Sequence, residues 1–394
     1  MRIIFFNENW VYGGSNKYIE DLITIAFNEG HEIEYLINYE GFYKIPSGVK
    51  NIKISKINTL NIVNKVNILF QNHKYLSSLF KILILIKPIF FLINVLRFIK
   101  IIKHKNADLI ISCNGGYPGS ESCSAIIIAS KILKKPNILS IASMPQRRKL
   151  IIYPYELLID KLVERSADII ITYAYAQIKS LKEDRNISAS KSKVINNALK
   201  KSKTSIDRSY KKERNFTKLG VISRIDKDKS ISTLIYVVKN LKKEGYNVKL
   251  EIIGDGPELN SIKSLSNNLG LNDKDVSFKG YIEGELDKFL LDFDIYVFPS
   301  LLEGLPFSIL EAMKFSLPII TTSAGGITEA IEHNKNGIIV DMNSPESFVR
   351  EIKNLIGNEK LSNNLSSNAF ETFNKKFSHE IMYSNFKNLL DEIW

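Results

Sequence analysis

Short β-branched runs alternate with longer amphipathic segments from one end of the chain to the other. That alternation is the signature of parallel sheets joined by helical crossovers. It predicts strands at Ile3–Phe6, Ile33–Ile37, Leu109–Ser112, Ile138–Ile141, Ile169–Thr172 and Val194–Ile195. A second series follows at Lys218–Ile222, Lys249–Ile253, Val276–Phe278, Ile295–Phe298, Pro318–Thr321 and Ile338–Val340. Between the two series, Lys200–Asn215 is polar and charge-dense with no apolar periodicity, and reads as an interdomain linker. No solenoid-length repeat is visible.

The most apolar stretch, Leu76–Lys103, includes Ile82–Ile86 and Ile89–Ile93. A transmembrane span needs about 20 nearly uninterrupted apolar residues. Here Lys81, Lys87, Pro88, Asn94, Arg97 and Lys100 interrupt the run, which argues against a span. Two readings stand: a buried crossover helix pair, or a patch whose apolar face dips into lipid while its cations meet anionic head groups. The distribution of charge favours the second, because Gly41–Ala107 contains twelve Lys and Arg and no Asp or Glu.

A length of 394 residues exceeds one ordinary core and implies two domains of under about 200 residues each. The 44% apolar content excludes a disordered chain. Cys113 and Cys123 make neither a disulfide framework nor a metal-ligand pattern, so a reducing cytoplasm is expected. Met1 runs directly into Arg2–Phe6 without a charged-then-apolar leader, and no export is expected. The net charge of +12 invites a nucleic-acid reading. However, the basic window is interleaved with aliphatic runs rather than aromatic ones, and no recognition motif is present.

Candidate chemistry lies where strands end. Gly13-Gly14 follows the first strand and precedes a helix expected near Ser15, where backbone N–H groups can approach a phosphate. It is not a GxGxxG fingerprint. Arg224 follows strand Lys218–Ile222, and Lys229, five residues later, is expected to open the next helix. Two cations at the carboxyl end of a parallel strand suit a diphosphate. Gly254-Asp255-Gly256-Pro257 reads as a tight turn leading into a helix with proline in its first turn. In Phe298–Met313, Glu303 and Glu311 stand eight residues apart across a loop-to-helix junction. Asp292-Phe293-Asp294 spells a metal-binding DxD, but its place before strand Ile295–Phe298 points to a strand-edge role.

Together these residues resemble the retaining GT-B glycosyltransferases of family four. Arg224 and Lys229 match that family's Arg-x4-Lys, Gly254–Pro257 its Gly-x-Gly-Pro, and Glu303 and Glu311 its Glu-x7-Glu. Ser316–Glu329 and Asn336-Gly337 also fit, while the N-terminal half is matched only at Gly13-Gly14, Ser166–Ile171 and Val194–Asn197. The resemblance implies an α/β GT-B fold, two Rossmann-like domains with parallel sheets facing a central cleft. Residues 1–200 would bind the acceptor and 201–375 the nucleotide-sugar donor, with 376–394 as a helix crossing back to the N-terminal domain.

In that family Arg224 and Lys229 would neutralise the departing diphosphate, and Glu303 would hold sugar hydroxyls. The backbone of Gly304, Leu305, Pro306, Phe307 and Ser308 would surround the sugar, and Glu311 would bind the ribose. Gly254 and Gly256 would line the donor edge, Tyr281 and Ile282 would meet the base, and Gly13 and Gly14 would close on the phosphates. No metal and no other cofactor is implied. Many relatives carry a histidine after the strand equivalent to Ile138–Ile141; this chain has Ala142–Arg148 there and places its five histidines elsewhere. Arg147 and Arg148 are candidates for an acceptor diphosphate, since guanidinium forks suit phosphate.

The expectation is a retaining transferase moving a hexose or N-acetylhexosamine from a nucleotide-diphosphate sugar, UDP-sugar favoured, to a glycan acceptor. A polyprenyl-diphosphate-linked acceptor in bacterial surface polysaccharide synthesis is the candidate. The enzyme would be cytoplasmic and held peripherally at the inner face of the plasma membrane, on an anionic surface, through residues 41–107. The alternatives are a non-catalytic membrane-associated partner in glycan assembly and a GT-B nucleotide-sugar epimerase or hydrolase.

Overall fold

The structure is a computed structural model describing residues 1–8, 13–38, 43–46, 48–50, 52–60, 77–201, 214–284 and 286–393. The side chains of residues 77–85 and of Ile151 lie outside that description, as does most of the expected linker and residues 61–76 of the basic window. The chain divides into two compact units, Met1–Asn196 with Tyr383–Trp394, and Asn197–Met382.

The first unit is built on strands β1 (Arg2–Asn7), β2 (Glu32–Asn38), β3 (Lys53–Ile57), β4 (Leu109–Asn114), β5 (Asn137–Ile141), β6 (Ile169–Thr172) and β7 (Ser192–Val194). They form one parallel sheet in the order β3-β2-β1-β4-β5-β6-β7. The connecting helices are α1 (Gly14–Asn28), α2 (Ser77–Lys105), α3 (Glu121–Ile132), α4 (Tyr153–Ser166) and α5 (Tyr175–Arg185). Strands β1 and β4 are almost wholly buried, as expected for a sheet covered on both faces. Edge strand β3 escapes the hydrophobic pattern because its sequence, Lys-Ile-Ser-Lys-Ile, is polar at three of five positions, with Lys53 and Lys56 exposed and none of the five buried.

Helix α2 corrects the first of the two readings of the apolar stretch in one respect. It is one continuous helix with Pro88 inside it, not a pair. One face carries Phe91, Val95, Phe98 and Ile102 into the core against α3, where Phe98 meets Phe6 edge-on at 5.0 Å. Asn94, on the same side, holds Leu60 through both its amide groups at 2.9 and 3.0 Å. Among the described residues no helix is long and apolar enough to cross a membrane.

The second unit repeats the plan with β8 (Thr217–Ile222), β9 (Val248–Ile253), β10 (Val276–Phe278), β11 (Ile295–Phe298), β12 (Ile319–Thr322) and β13 (Ile338–Val340). Their parallel order is β10-β9-β8-β11-β12-β13. The helices are α6 (Ser232–Lys243), α7 (Leu259–Asn268), α8 (Asp287–Asp292), α9 (Phe307–Lys314), α10 (Ile327–Ala330), α11 (Pro345–Gly357) and α12 (Glu359–Lys376). The last helix, α13 (His379–Ile393), begins in this unit, and its later residues belong to the first. There Lys387 and Tyr383 bond the Glu29 carboxylate at the end of α1. Those hydrogen bonds, Lys387 foremost, hold Glu29 below the usual carboxylate range.

In both sheets the chain leaves the central strand in one direction and returns on its other side. The reversal falls between β1 and β4 in one unit and between β8 and β11 in the other. Loops at the carboxyl ends of such a strand pair splay apart, and the crevice between them is where open α/β sheets bind ligands.

Candidate functional site

The loops after β8 and β11 flank the second reversal, and they carry Arg224, Lys229 and Glu303. Lys229 sits in a single 3-10 turn, Lys227–Lys229, not in the expected helix, which begins only at Ser232. Its ammonium pairs with the Glu303 carboxylate. Glu303 is 9% exposed, and its Oε1 also accepts from the Ser300 hydroxyl at 3.0 Å. Ser300 in turn reaches the Asp228 carbonyl at 3.1 Å, and Leu301 N–H donates to the same carbonyl at 2.7 Å. The two loops are thus bound to each other by backbone, hydroxyl and ion pair. Arg224 stands at the strand end, 64% exposed, with its Nε 3.5 Å from Asp226.

The Gly-x-Gly turn takes a different part from the one its spacing suggested. Gly254 adopts φ +141°, and a Cβ there would lie 1.8 Å from the Ser223 carbonyl oxygen. At Gly256 a Cβ would lie 2.3 Å from the Ile225 carbonyl oxygen. Ser223 N–H donates to Ile253 at 3.0 Å and Ile225 N–H to Asp255 at 2.9 Å. The glycines therefore let the turn zip onto the backbone that carries Arg224. Pro257 precedes the helix, α7 starting at Leu259, rather than standing in its first turn. Gly254 N–H also donates to Gly280 at 2.8 Å, which joins the segment bearing Ile282 and the exposed Tyr281 to the same edge.

Gly304 and Leu305 are buried, and Pro306 leads into α9 without offering a side-chain cap. The Asn197 amide fixes this approach by donating to the Leu305 carbonyl at 2.6 Å. Phe307 and Ser308 open α9, whose first-turn N–H groups lack i−4 carbonyls. Glu311 follows one turn later on the same helix, near Tyr296.

Two site residues escaped the sequence reading. Tyr296 is fully buried; its hydroxyl donates to the Ile222 carbonyl at 3.1 Å and accepts from Ile222 N–H at 3.3 Å, beside the Ser308 hydroxyl. Burial pushes its phenol above the usual tyrosine range, and the charges of Glu311 and Glu303 act in the same direction. The other is Ser300, described above. A polar side chain in an otherwise apolar buried strand, and a hydroxyl three residues before a carboxylate, were the available signals.

Asp292 and Asp294 have other occupations. Arg214 bonds both carboxylates, at 3.1 Å for Asp292, and Lys218 adds a bond to Asp292. Among the described residues no cluster of three or more His, Cys, Asp or Glu side chains could hold a metal ion.

The first unit presents a different picture at its own reversal. Gly13 caps α1 with extended backbone, its N–H bonding Asn16 Oδ1 at 3.1 Å, and among the described residues nothing beyond its chain neighbours and the helix's own backbone lies within 4 Å of a Cβ placed there. Gly14 begins the helix. Glu8, at the end of β1, is fully buried: it accepts from Ser122 Oγ at 2.8 Å, Ser122 N–H at 3.2 Å and Thr59 Oγ1 at 3.2 Å, capping α3.

Of the two candidate acceptor arginines, Arg147 is 89% exposed and pairs with Asp184 at 3.0 Å. Arg148 is 6% exposed and spent internally, on Asp160 at 2.8 Å and on the Arg185 carbonyl. It belongs to a buried cluster in which Arg185 binds Glu156 and Asp160, both at 2.8 Å, while Tyr117 donates to Asp160 at 2.6 Å. Two cations balance two carboxylates there, so the assignment of Arg148 to an acceptor diphosphate is replaced by a structural role.

The family model described as Glycosyl transferases group 1 matches residues 202–372. The capsular polysaccharide biosynthesis glycosyltransferase CapM of Staphylococcus aureus is 28% identical over 171 residues, 43% of this chain and 45% of that protein. The lipopolysaccharide core biosynthesis glycosyltransferase LpsE of Rhizobium meliloti is 29% identical over 169 residues, 43% of this chain and 48% of that protein. The matched stretch thus spans about half the length of these curated relatives. The crystal structure of Anabaena Alr3699/HepE in complex with UDP-glucose superposes with a TM-score of 0.74 at 18% identity, covering 100% of both chains. The fold is GT-B, with two Rossmann-like α/β units.

Proposed function

We propose that this chain, whose residues 202–372 match the family model described as Glycosyl transferases group 1, is a retaining glycosyltransferase using a nucleotide-diphosphate sugar. The observation that carries the reading is the Lys229–Glu303 pair, held at the carboxyl edge of the second sheet by Ser300 and the Asp228 carbonyl. A diphosphate arriving there draws Lys229 away from the carboxylate. Glu303 is then free to accept hydrogen bonds from the hydroxyls of the sugar, and Lys229 with Arg224 stabilises the charge that grows on the leaving diphosphate. The Gly304–Ser308 backbone lies beside the sugar, Glu311 binds the ribose, and Tyr281 and Ile282 meet the base.

A UDP-sugar is the favoured donor, supported by the UDP-glucose bound in the Anabaena relative. The reading calls for no divalent metal, and Asp292 and Asp294 are ion-paired with Arg214 and Lys218. The acceptor is a growing glycan on a polyprenyl-diphosphate carrier at the cytoplasmic face of a bacterial membrane. That reading is supported by the capsule and lipopolysaccharide roles named for the relatives.

Thermal melts of the purified chain with UDP, GDP, ADP and their sugar conjugates, in magnesium or in EDTA, test the donor site. Binding stabilises by RT ln(1 + [L]/Kd). A shift with one nucleotide series, unchanged by EDTA and lost in Lys229→Ala, is expected. No shift with any of them overturns the reading.

A further inference from the structure

The outward face of α2 has no role in the core. Ile89, Leu92 and Leu96 are 58%, 58% and 57% exposed, at the i, i+3, i+7 spacing that lines one side of a helix. Continuing that side by i+11 and i+14 leads to Lys100 and Lys103, both exposed and without an ion pair among the described residues. Beside it, a groove of about 550 Å³ between α2 and β3 is lined by Lys56, Arg97 and Lys100 among others. Other cations of the acid-free window are used internally: Lys87 pairs with Glu121 at 2.8 Å, and Lys105 pairs with Glu34.

We propose that this face of α2 is the surface by which the protein lies on an anionic phospholipid bilayer, with Ile89, Leu92 and Leu96 entering the acyl boundary and Lys100 and Lys103 meeting the head-group phosphates. Charge complementarity selects this occupant. An apolar stripe continuing into unpaired lysines, on a segment with no carboxylate from Gly41 to Ala107, matches a surface that is oily inside and negative outside. The inference rests on the reading of a membrane-borne acceptor and narrows its docking region from residues 41–107 to one helix face.

Co-sedimentation of the full chain with vesicles of phosphatidylcholine alone, or mixed with phosphatidylglycerol, tests it without requiring turnover. Binding to the mixed vesicles is expected, weakening as salt rises. Each lysine near such a surface is worth about a fivefold change in partition, so Lys100→Gln with Lys103→Gln should reduce binding by roughly 25-fold. Leu92→Asp with Leu96→Asp should abolish it. Because all four positions are exposed, both variants should retain the wild-type melt and its nucleotide shift.

Equal binding to neutral and anionic vesicles, or binding untouched by either pair of substitutions, overturns the proposal. So does a wild-type dimer in analytical ultracentrifugation that Leu92→Asp with Leu96→Asp converts to monomer, since the face would then join two copies. A chain that binds vesicles but no nucleotide instead sinks the donor-site reading and leaves the docking face standing.

Discussion

The two units share a strand order and a reversal point, yet they use the same edge of the sheet in opposite ways. In the second unit the reversal gathers chemistry-bearing side chains near the surface: an exposed arginine, a lysine paired with a carboxylate, and an open helix start. In the first, the carboxylate at the corresponding place, Glu8, is buried and spent on capping α3, and the charges of Arg148, Arg185, Glu156 and Asp160 neutralise one another in the interior. A shared topology offers a crevice, but whether charge there is available to a ligand depends on what the fold has already paired with it.

That contrast is broken most severely by removing a charge from the interior of the first unit. Arg185→Ala leaves Glu156 without its guanidinium partner and Asp160 with Arg148 alone, and should cost about 3–5 kcal/mol in urea unfolding. Arg147→Ala, on the exposed neighbour, should stay within about 0.5 kcal/mol. Comparable losses from both would show that the cluster is not the structural core assigned to it.

In the second unit the same kind of deletion should be read in catalysis instead. Lys229→Ala should lower kcat by roughly a hundred- to a thousandfold with little change in the melt. Because Lys229 and Glu303 contact each other, combining Lys229→Ala with Glu303→Ala should cost less than the two effects summed. Strict additivity would separate the pair into independent sites.

Gly254→Ala sharpens the comparison from the backbone side. Its methyl group would meet the Ser223 carbonyl, at a φ that L-residues rarely adopt. A loss of about 1–3 kcal/mol is expected, with weaker nucleotide binding through a displaced Arg224. An unchanged melt would mean that the two loops are not locked together.

The smallest effect concerns acid. Burial holds His31 below the ordinary imidazole range, and burial with the nearby Lys200 does the same for His379. A depressed native pKa means that the unfolded chain binds more protons, so stability is full above the unfolded value of about 6.5 and declines as pH falls through it. Melts at about pH 8 and pH 5.5 should show a decline that His31→Asn and His379→Asn make shallower. A steeper decline in those variants would reverse the sign.

Much of the second unit was legible because its motif positions answer to local backbone rules. Strand ends, a glycine turn and a loop-to-helix junction each leave a spacing in the sequence, and Lys249–Ile253, Val276–Phe278 and Ile295–Phe298 lie where the pattern puts strands. Short spacing did not reveal what those positions touch. The Gly-x-Gly turn reads equally as a phosphate loop or as a close backbone contact, and Lys229 reads as a helix start until Ser230 turns with φ +49°.

By itself the sequence determined the α/β alternation, the restart of the pattern after Lys200–Asn215, and the pairing of Arg-x4-Lys with Glu-x7-Glu, because periodicity and short-range spacing are properties of the chain alone. Tertiary structure alone decided which charges are spent. Arg147 and Arg148 are neighbours in sequence, yet one is exposed and the other buried; Lys87 and Lys100 lie on one helix, yet among the described residues only the first finds a carboxylate. A charge is available to a ligand only where the fold has supplied no closer partner of opposite sign, and Arg148–Asp160, Lys87–Glu121 and Lys229–Glu303 stand 12, 34 and 74 residues apart in the chain.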